Sequence, residues 1–131
     1  MAHTAKLCIQ KKEYNLFEVN YEFNQPMNDN GQPAGNPTCG KISFVMVAPD
    51  NNDLFFHEWM ASPTENKDGT FKFSVVDMGD SSTKTMNFYH AYCIHLREYI
   101  KEKEVQMLIE VTLYAQKITF GESDDVIFGD E

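Results

Sequence analysis

The sequence predicts a mainly β protein: an antiparallel β-barrel or sandwich of about six or more strands. It adds one short α-helix near residues 51–61 and a long extended loop over residues 25–40. Three observations predict this. Apolar and polar residues alternate strictly in several runs, the period of a half-buried strand. The late segment "IEVTLYAQKITF" is rich in β-branched and aromatic residues, which fit a pleated surface. Only "DLFFHEWMAS" departs from this, taking a helical period.

In chain order, "TAKLCIQ" (residues 4–10) alternates weakly, and Lys11-Lys12-Glu13 reads as a tight hairpin connection. Phe17, Val19, Tyr21 and Phe23 then point to one side, and Glu18, Asn20, Glu22 and Asn24 to the other. After the loop, "KISFVMVA" sets Ile42, Phe44 and Met46 against Ser43, Val45 and Val47. Both faces are rather apolar, so this strand is expected to be covered on both sides or to lie in an interface.

Leu54, Phe55, Glu58 and Trp59 fall near one another on a helix, with Met60 beside them. Leu54, Phe55, Trp59 and Met60 are therefore the expected helix-packing residues. Asn51, Asn52 and Asp53 are N-cap candidates, and Pro63 ends the helix.

"KDG" turns into a strand carrying Phe71, Phe73 and Val75, and "GDSS" turns again. A long strand places Met86, Phe88, His90, Tyr92, Ile94 and Leu96 in one register. The last places Val105, Met107, Ile109, Val111 and Leu113 likewise, with the connection around Lys101–Glu104.

The chain of 131 residues is read as a single domain, 1–131, long enough to bury a core without disulfide staples. Residues 121–131 form an acidic tail. Its last ten residues hold five acids and no base, leaving −4 of the net −9 on the body, and a solvated end is the simplest reading. A nucleic-acid partner is not expected, because phosphate binding needs a basic face. No run approaches the apolar length that spans a bilayer, so membrane insertion is not expected either. The N-terminus lacks the apolar segment and cleavage site of a secretory signal.

Three cysteines without a C-x-x-C pair argue against a disulfide framework and a zinc ribbon. In "HAYCIH", Cys93 and His95 share one face of an ideal strand and His90 takes the other. Two donors are too few for a structural zinc site, and neither an orienting acid nor an oxyanion loop lies nearby. His57-Glu58 is not a zinc-protease helix, since Ala61 stands where the second histidine belongs. Gly31, Gly35 and Gly40 do not make a phosphate loop. Asp77 and Asp80 flank a turn whose chemistry explains them. No catalytic set, metal site or cofactor site is expected, and the chain reads as a non-enzyme.

What stands out is geometric. "NQPMNDNGQPAGNPTCG" (residues 24–40) holds three prolines, three glycines, four asparagines and one charge, Asp29, between two of the best strands. Connections in compact domains are mostly about two to six residues long, and longer ones are usually functional or disordered. Strands apolar on both faces imply that subunits share the burial.

The segment "EYNLFEVNYEFNQPMNDNGQPAGNPTCGKISFVMVAPDNNDLFFHEWM" resembles the haemolysin-coregulated protein (Hcp) family, the tube subunit of type VI secretion systems, in the branch found in Bacteroidetes. The matching features are the strand from Tyr14 through Tyr21 to Gln25, the Asp29–Gly31–Pro33 loop, and the Gly40-Lys41-Ile42 strand entry. The Asn51-to-Met60 helix, "NKDG" before a Phe-rich strand and a late Ala115-x-Lys117-Ile118 complete the set, over about residues 4 to 120. The resemblance implies a non-enzymatic subunit that forms homo-hexameric rings stacking into a hollow tube, which a contractile sheath expels. Implied partners are other copies of the chain, sheath, spike and baseplate proteins, and effector cargo in the lumen. Assembly would be cytoplasmic, followed by export through the type VI apparatus.

The resemblance also makes the long loop a contact between rings, through Gln25, Met27, Asn28, Asp29, Asn30, Gly31, Pro33, Gly35, Asn36 and Pro37. Members often carry Arg-Gly-Gly before the third strand where this chain has Thr38-Cys39-Gly40, so a loop-borne cation is missing here. A phage-type tail tube subunit shares the architecture. A β-barrel ligand-binding module would explain the aromatics but not the loop.

Overall fold

The structure, a computed structural model, describes residues 2–25, 27–33, 40–49, 52–77, 80–100 and 106–129. Outside them lie loop residues Gly35, Asn36, Pro37, Thr38 and Cys39, the cap candidate Asn51, and the expected connection at Lys101–Glu104 with Val105.

Among the described residues nine antiparallel strands and one helix surround a single core. The strands are β1 (Ala2–Ile9), β2 (Lys12–Leu16), β3 (Glu18–Tyr21), β4 (Lys41–Val47), β5 (Lys67–Asp77), β6 (Asp80–Tyr99), β7 (Leu108–Tyr114), β8 (Lys117–Phe120) and β9 (Val126–Gly129). The helix α1 (Phe55–Ala61) lies between β4 and β5. One sheet runs β2-β1-β5-β6-β8-β9 and the other β6-β7-β4-β3, so β6 belongs to both.

The connection between β1 and β2 is tighter than the sequence implies. Ile9 pairs with Lys12, and the two residues between, Gln10 and Lys11, have φ of 48° and 68°. Two left-handed residues make the turn whose twist matches the flanking strands.

What reads as one strand from Tyr14 to Phe23 is two. Tyr14 and Leu16 pack inward, as do Val19, Tyr21 and Phe23, so the phase slips by one residue between the two sets. Phe17 sits at the slip and is 66% exposed, where the chain leaves β1 and its amide reaches the Val45 carbonyl at 2.8 Å. An extra residue of this kind lets a strand turn a corner from one sheet to the next.

β6 turns its corner in the same way. Met86 and Phe88 are buried, His90 has φ of 54° and is exposed, and the inward set then becomes Ala91 and Cys93. A second irregularity between Cys93 and His95 returns Leu96 to the core and leaves Ile94 48% exposed. His90 and Ile94 therefore do not share the inward register that strict alternation predicts.

The "KDG" segment is not a turn. It lies inside β5, where a bulge between Lys67 and Gly69 absorbs the irregularity. In β7 Ile109, Val111 and Leu113 face the core as the pattern predicts, while Met107 precedes the strand and is 41% exposed. Nor is the acidic end merely solvated: residues 121–124 turn and β9 adds to β8. Acidic composition alone could not show that Val126, Ile127 and Phe128 make a strand.

Among the described residues seventeen hydrophobic side chains form the core, with Leu7, Ile42, Phe44, Met46, Phe71, Met86 and Phe88 all essentially inaccessible. At the seam between β3 and the β8–β9 hairpin the barrel is filled by rings: Tyr21, Phe23, Phe73, Phe120 and Phe128. Gly40 brings the long loop back into the barrel with φ of 120°, and a Cβ there would lie 2.5 Å from the Ala115 carbonyl oxygen. Only glycine fits that approach without displacement.

Candidate assembly surfaces

The long loop owes its local shape to one side chain. Asn28 Oδ1 accepts the amides of Asn30 (3.0 Å) and Gln32 (3.1 Å), an Asx turn that fixes the backbone from within. The Asn28 amide donates to the Gln32 carbonyl at 2.9 Å, and the Gly31 amide returns to the Asn28 carbonyl at 3.0 Å. Met27 and Pro33 close the base as an isolated bridge.

The result is a small hairpin from 27 to 33, with all seven residues exposed, as Gln25 is before them. Met27 is 71% exposed and offers a flexible thioether to solvent. The structure thus places Met27, Asn28, Asp29, Asn30, Gly31 and Pro33 together in one exposed hairpin, with Gln25 exposed before it. Gly35, Asn36 and Pro37 lie outside the described residues.

The helix behaves in the opposite way. It buries Phe56 and Trp59 at i and i+3, and Phe55 packs beside them partly buried. Trp59 Nε1 donates to the Glu65 carbonyl at 3.0 Å, so the buried indole leaves no donor unpaired. Lys67 Nζ sits 5.0 Å from the Phe55 ring centre and 5.8 Å from that of Trp59.

Of the four expected packing residues, Leu54 is 49% exposed, and Met60 is 40% exposed while its thioether lies 3.8 Å from the Cys93 thiol. The helix begins at Phe55, later than the sequence implies, which rotates its face toward Phe56. The apolar Phe56 was visible in the sequence, but only the true start decides which way it points.

The N-cap position is Leu54, which makes no side-chain cap bond, and Asp53 stands one residue before it. Asp53 Oδ1 accepts the Phe55 amide at 3.2 Å, and its Oδ2 accepts the Tyr14 hydroxyl at 2.9 Å, while Lys12 Nζ lies 3.4 Å away. Burial works against the charge, yet the bonds from Tyr14, the Phe55 amide and Lys12 hold its carboxyl below the usual range. Burial pushes the Tyr14 hydroxyl up, and the Asp53 carboxylate pushes it further the same way. The two shifts agree on one arrangement, a carboxylate accepting from a phenol that keeps its proton. This ties β2 to the start of α1. At the far side His57 Nε2 meets Glu98 Oε1 at 2.7 Å, tying α1 to β6.

Beyond α1, the outward face of β4 and β7 carries a Ser43–Thr112 bond of 2.9 Å, and His95 and Arg97 meet Glu110 at 3.1 and 3.5 Å. Between the helix end and β6 lies an open groove of about 530 Å³, walled by Met60, Pro63, Cys93, Ile94 and Tyr114 and by no charged residue.

The cysteine–histidine reading fails on geometry. Cys93 is 7% exposed and faces the core, whereas His95 points outward to Glu110. Burial pushes the Cys93 thiol up to about 11, away from the thiolate a nucleophile needs. The bulge that separates the two residues is invisible to strict alternation. Among the described residues, no group of three or more His, Cys, Asp or Glu could hold a metal ion.

The family model described as "Hemolysin coregulated protein Hcp (TssD)" matches residues 1–125. A search of curated protein sequences returns no match. Among solved structures, the fold is similar to Hcp1 from Flavobacterium johnsoniae, with a TM-score of 0.79, 23% identity, and coverage of 97% of this chain and 99% of that one. It is also similar to Hcp1 from Salmonella typhimurium (TM-score 0.68, 12% identity, 92% and 86% covered). A third similar structure is the secreted protein Hcp3 from Pseudomonas aeruginosa (0.66, 12%, 99% and 98%).

Proposed function

The chain belongs to the haemolysin-coregulated protein (Hcp, TssD) family, the structural tube proteins of type VI secretion, and from that premise we propose how this chain assembles. The family is secreted by type VI systems, is not enzymatic, and self-assembles into rings and a tube. Our reading is that this chain forms homo-hexameric rings in the cytoplasm. The rings stack through the long loop into a hollow tube that a sheath expels, with spike and baseplate proteins at its ends and effectors in its lumen.

The observation that carries the reading is the family match over residues 1–125. The loop supports its second half. A seven-residue hairpin that satisfies its own backbone and buries nothing adds little to the stability of its own barrel. Its described residues carry one charge, Asp29, which suits contact between copies of a chain of net charge −9. Asp29 is an acid, so the stacking contact is expected to involve no loop-borne cation.

Native mass spectrometry and negative-stain microscopy test both halves. Closed six-membered rings are expected, and a monodisperse monomer at micromolar concentration would overturn the assembly. Removing Met27–Asn36 is expected to keep the rings and to abolish their stacking. If the rings themselves fail to close, the loop belongs to the lateral contact instead.

A further inference from the structure

The chain closes with a strand whose purpose its own burial does not explain. β9 pairs with β8 alone, and Val126 and Ile127 are 49% and 46% exposed. Its one well-packed side chain is Phe128, stacked on Phe23 with ring centres 4.0 Å apart and planes 15° from parallel. Phe120 closes on both rings from the side, at 5.9 Å from Phe23 and 6.1 Å from Phe128. Phe23 follows the end of β3 at Tyr21 and stands two residues before Gln25, at the root of the long loop.

The turn that delivers β9 is fastened to the barrel with unusual density. Asp124, at φ of 54°, presents one carboxylate oxygen to three donors: Thr119 Oγ1 at 2.5 Å, the Tyr89 hydroxyl at 3.1 Å and Asn87 Nδ2 at 3.4 Å. Asn87 Nδ2 also donates to the Gly121 carbonyl at 3.1 Å, and its Oδ1 accepts from Thr70 at 2.9 Å. The Gly121 amide donates to the Thr85 carbonyl at 3.1 Å. β6 and β8 thus hold the short turn before β9, and Thr70 of β5 holds Asn87 in place.

We infer that the C-terminal turn and strand act as a strut for the long loop: Asp124 anchors the turn, and Phe128 clamps Phe23 so that the 27–33 hairpin projects in one direction. The hairpin closes on itself through Asn28 and Met27–Pro33, which gives it a shape but no heading. A heading has to come from the root, where Phe23 packs on the barrel. The strut gains its use from the proposed role of the loop between rings, and it is tested apart from that role.

Spin labels at Asn30 on the hairpin and Lys72 on β5, diluted into unlabelled chains, report the heading as the width of one distance distribution. The background replaces Cys8 and Cys39 with serine and leaves the buried Cys93. A second label pair, Glu58 with Lys72, reports the barrel itself. The parent chain is expected to give a narrow Asn30–Lys72 distribution, Phe128→Ala one about twofold wider, and Phe128→Tyr the parent width. Asp124→Asn is expected to fall between, with the Glu58–Lys72 width unchanged throughout.

An Asn30–Lys72 width that stays the same in Phe128→Ala overturns the strut, and so does equal broadening of both pairs. Rings that never stack, even in the parent, count against the assembly reading; a narrow parent distribution that broadens in Phe128→Ala would still support the strut.

Discussion

Two segments of seven residues, the hairpin 27–33 and the helix Phe55–Ala61, use their side chains in opposite ways. The helix turns two large aromatics inward, spends its one indole donor on Glu65, and is tied through neighbouring side chains to β2 and β6. The hairpin turns nothing inward and satisfies itself through Asn28. A residue buried in its own chain is committed, whereas an exposed and locally ordered one is free to meet another molecule. Stability should therefore be concentrated at the helix, and on the proposed reading assembly falls to the hairpin.

The largest break in that contrast is expected at Trp59. Trp59→Ala removes a fully buried indole and should cost about 3–5 kcal/mol, read as a lowered urea midpoint with an unchanged slope. A near-neutral result would remove the helix from the stabilising side. Gly40→Ala comes next, at the point where the loop rejoins the barrel. The positive φ and the 2.5 Å approach to the Ala115 carbonyl should cost about 1–3 kcal/mol in the same measurement.

Acid should loosen the C-terminal hairpin. Hydrogen bonds from Thr119 and Tyr89 lead in holding the Asp124 carboxyl below its ordinary value. Its contribution is therefore complete above the unfolded carboxylate value of about 3.9 and fades as pH falls through that value toward the lower folded one. Amide exchange of β9 should accelerate in that window, while Asp124→Asn should show fast exchange already at neutral pH and no acid step.

The smallest effect is expected at Asn28. Asn28→Ala should speed exchange of the Asn30 and Gln32 amides yet shift global stability by less than about 0.5 kcal/mol. A loss as large as that of Trp59→Ala would mean the hairpin supports the fold after all.

Much of the fold was legible because alternation is a local signal. Ile42, Phe44 and Met46, and Ile109, Val111 and Leu113, face inward as their spacing predicts. The failures cluster where a strand changes sheet. Phe17, His90 and Ile94 sit at slips in phase, and a slip is decided by the sheet on the other side of the barrel, not by neighbours in the chain. The same slip separated Cys93 from His95.

The helix is legible but its start is not, since Leu54 stands at the N-cap with no side-chain bond to mark it. The C-terminal strand was missed because five acids outweighed "VIF" in the reading. The loop was legible as unusual from its composition. Its internal order was not, for it depends on one asparagine among four in that stretch.

The bend of β6 at His90 carries a consequence for how the molecule comes apart. A single strand of 20 residues pairs with β5 and β8 through its first half and with β7 through its second. Neither sheet can lose it and remain complete, so there is no obvious seam along which half of the barrel could melt alone. Unfolding is therefore expected to be all-or-none, with ring contacts and tryptophan environment lost in one coincident transition. The same pairing makes folding wait on partners distant in the chain, such as β1 with β5, which places this barrel among the slower topologies. Subunits would reach the assembly step either finished or not at all.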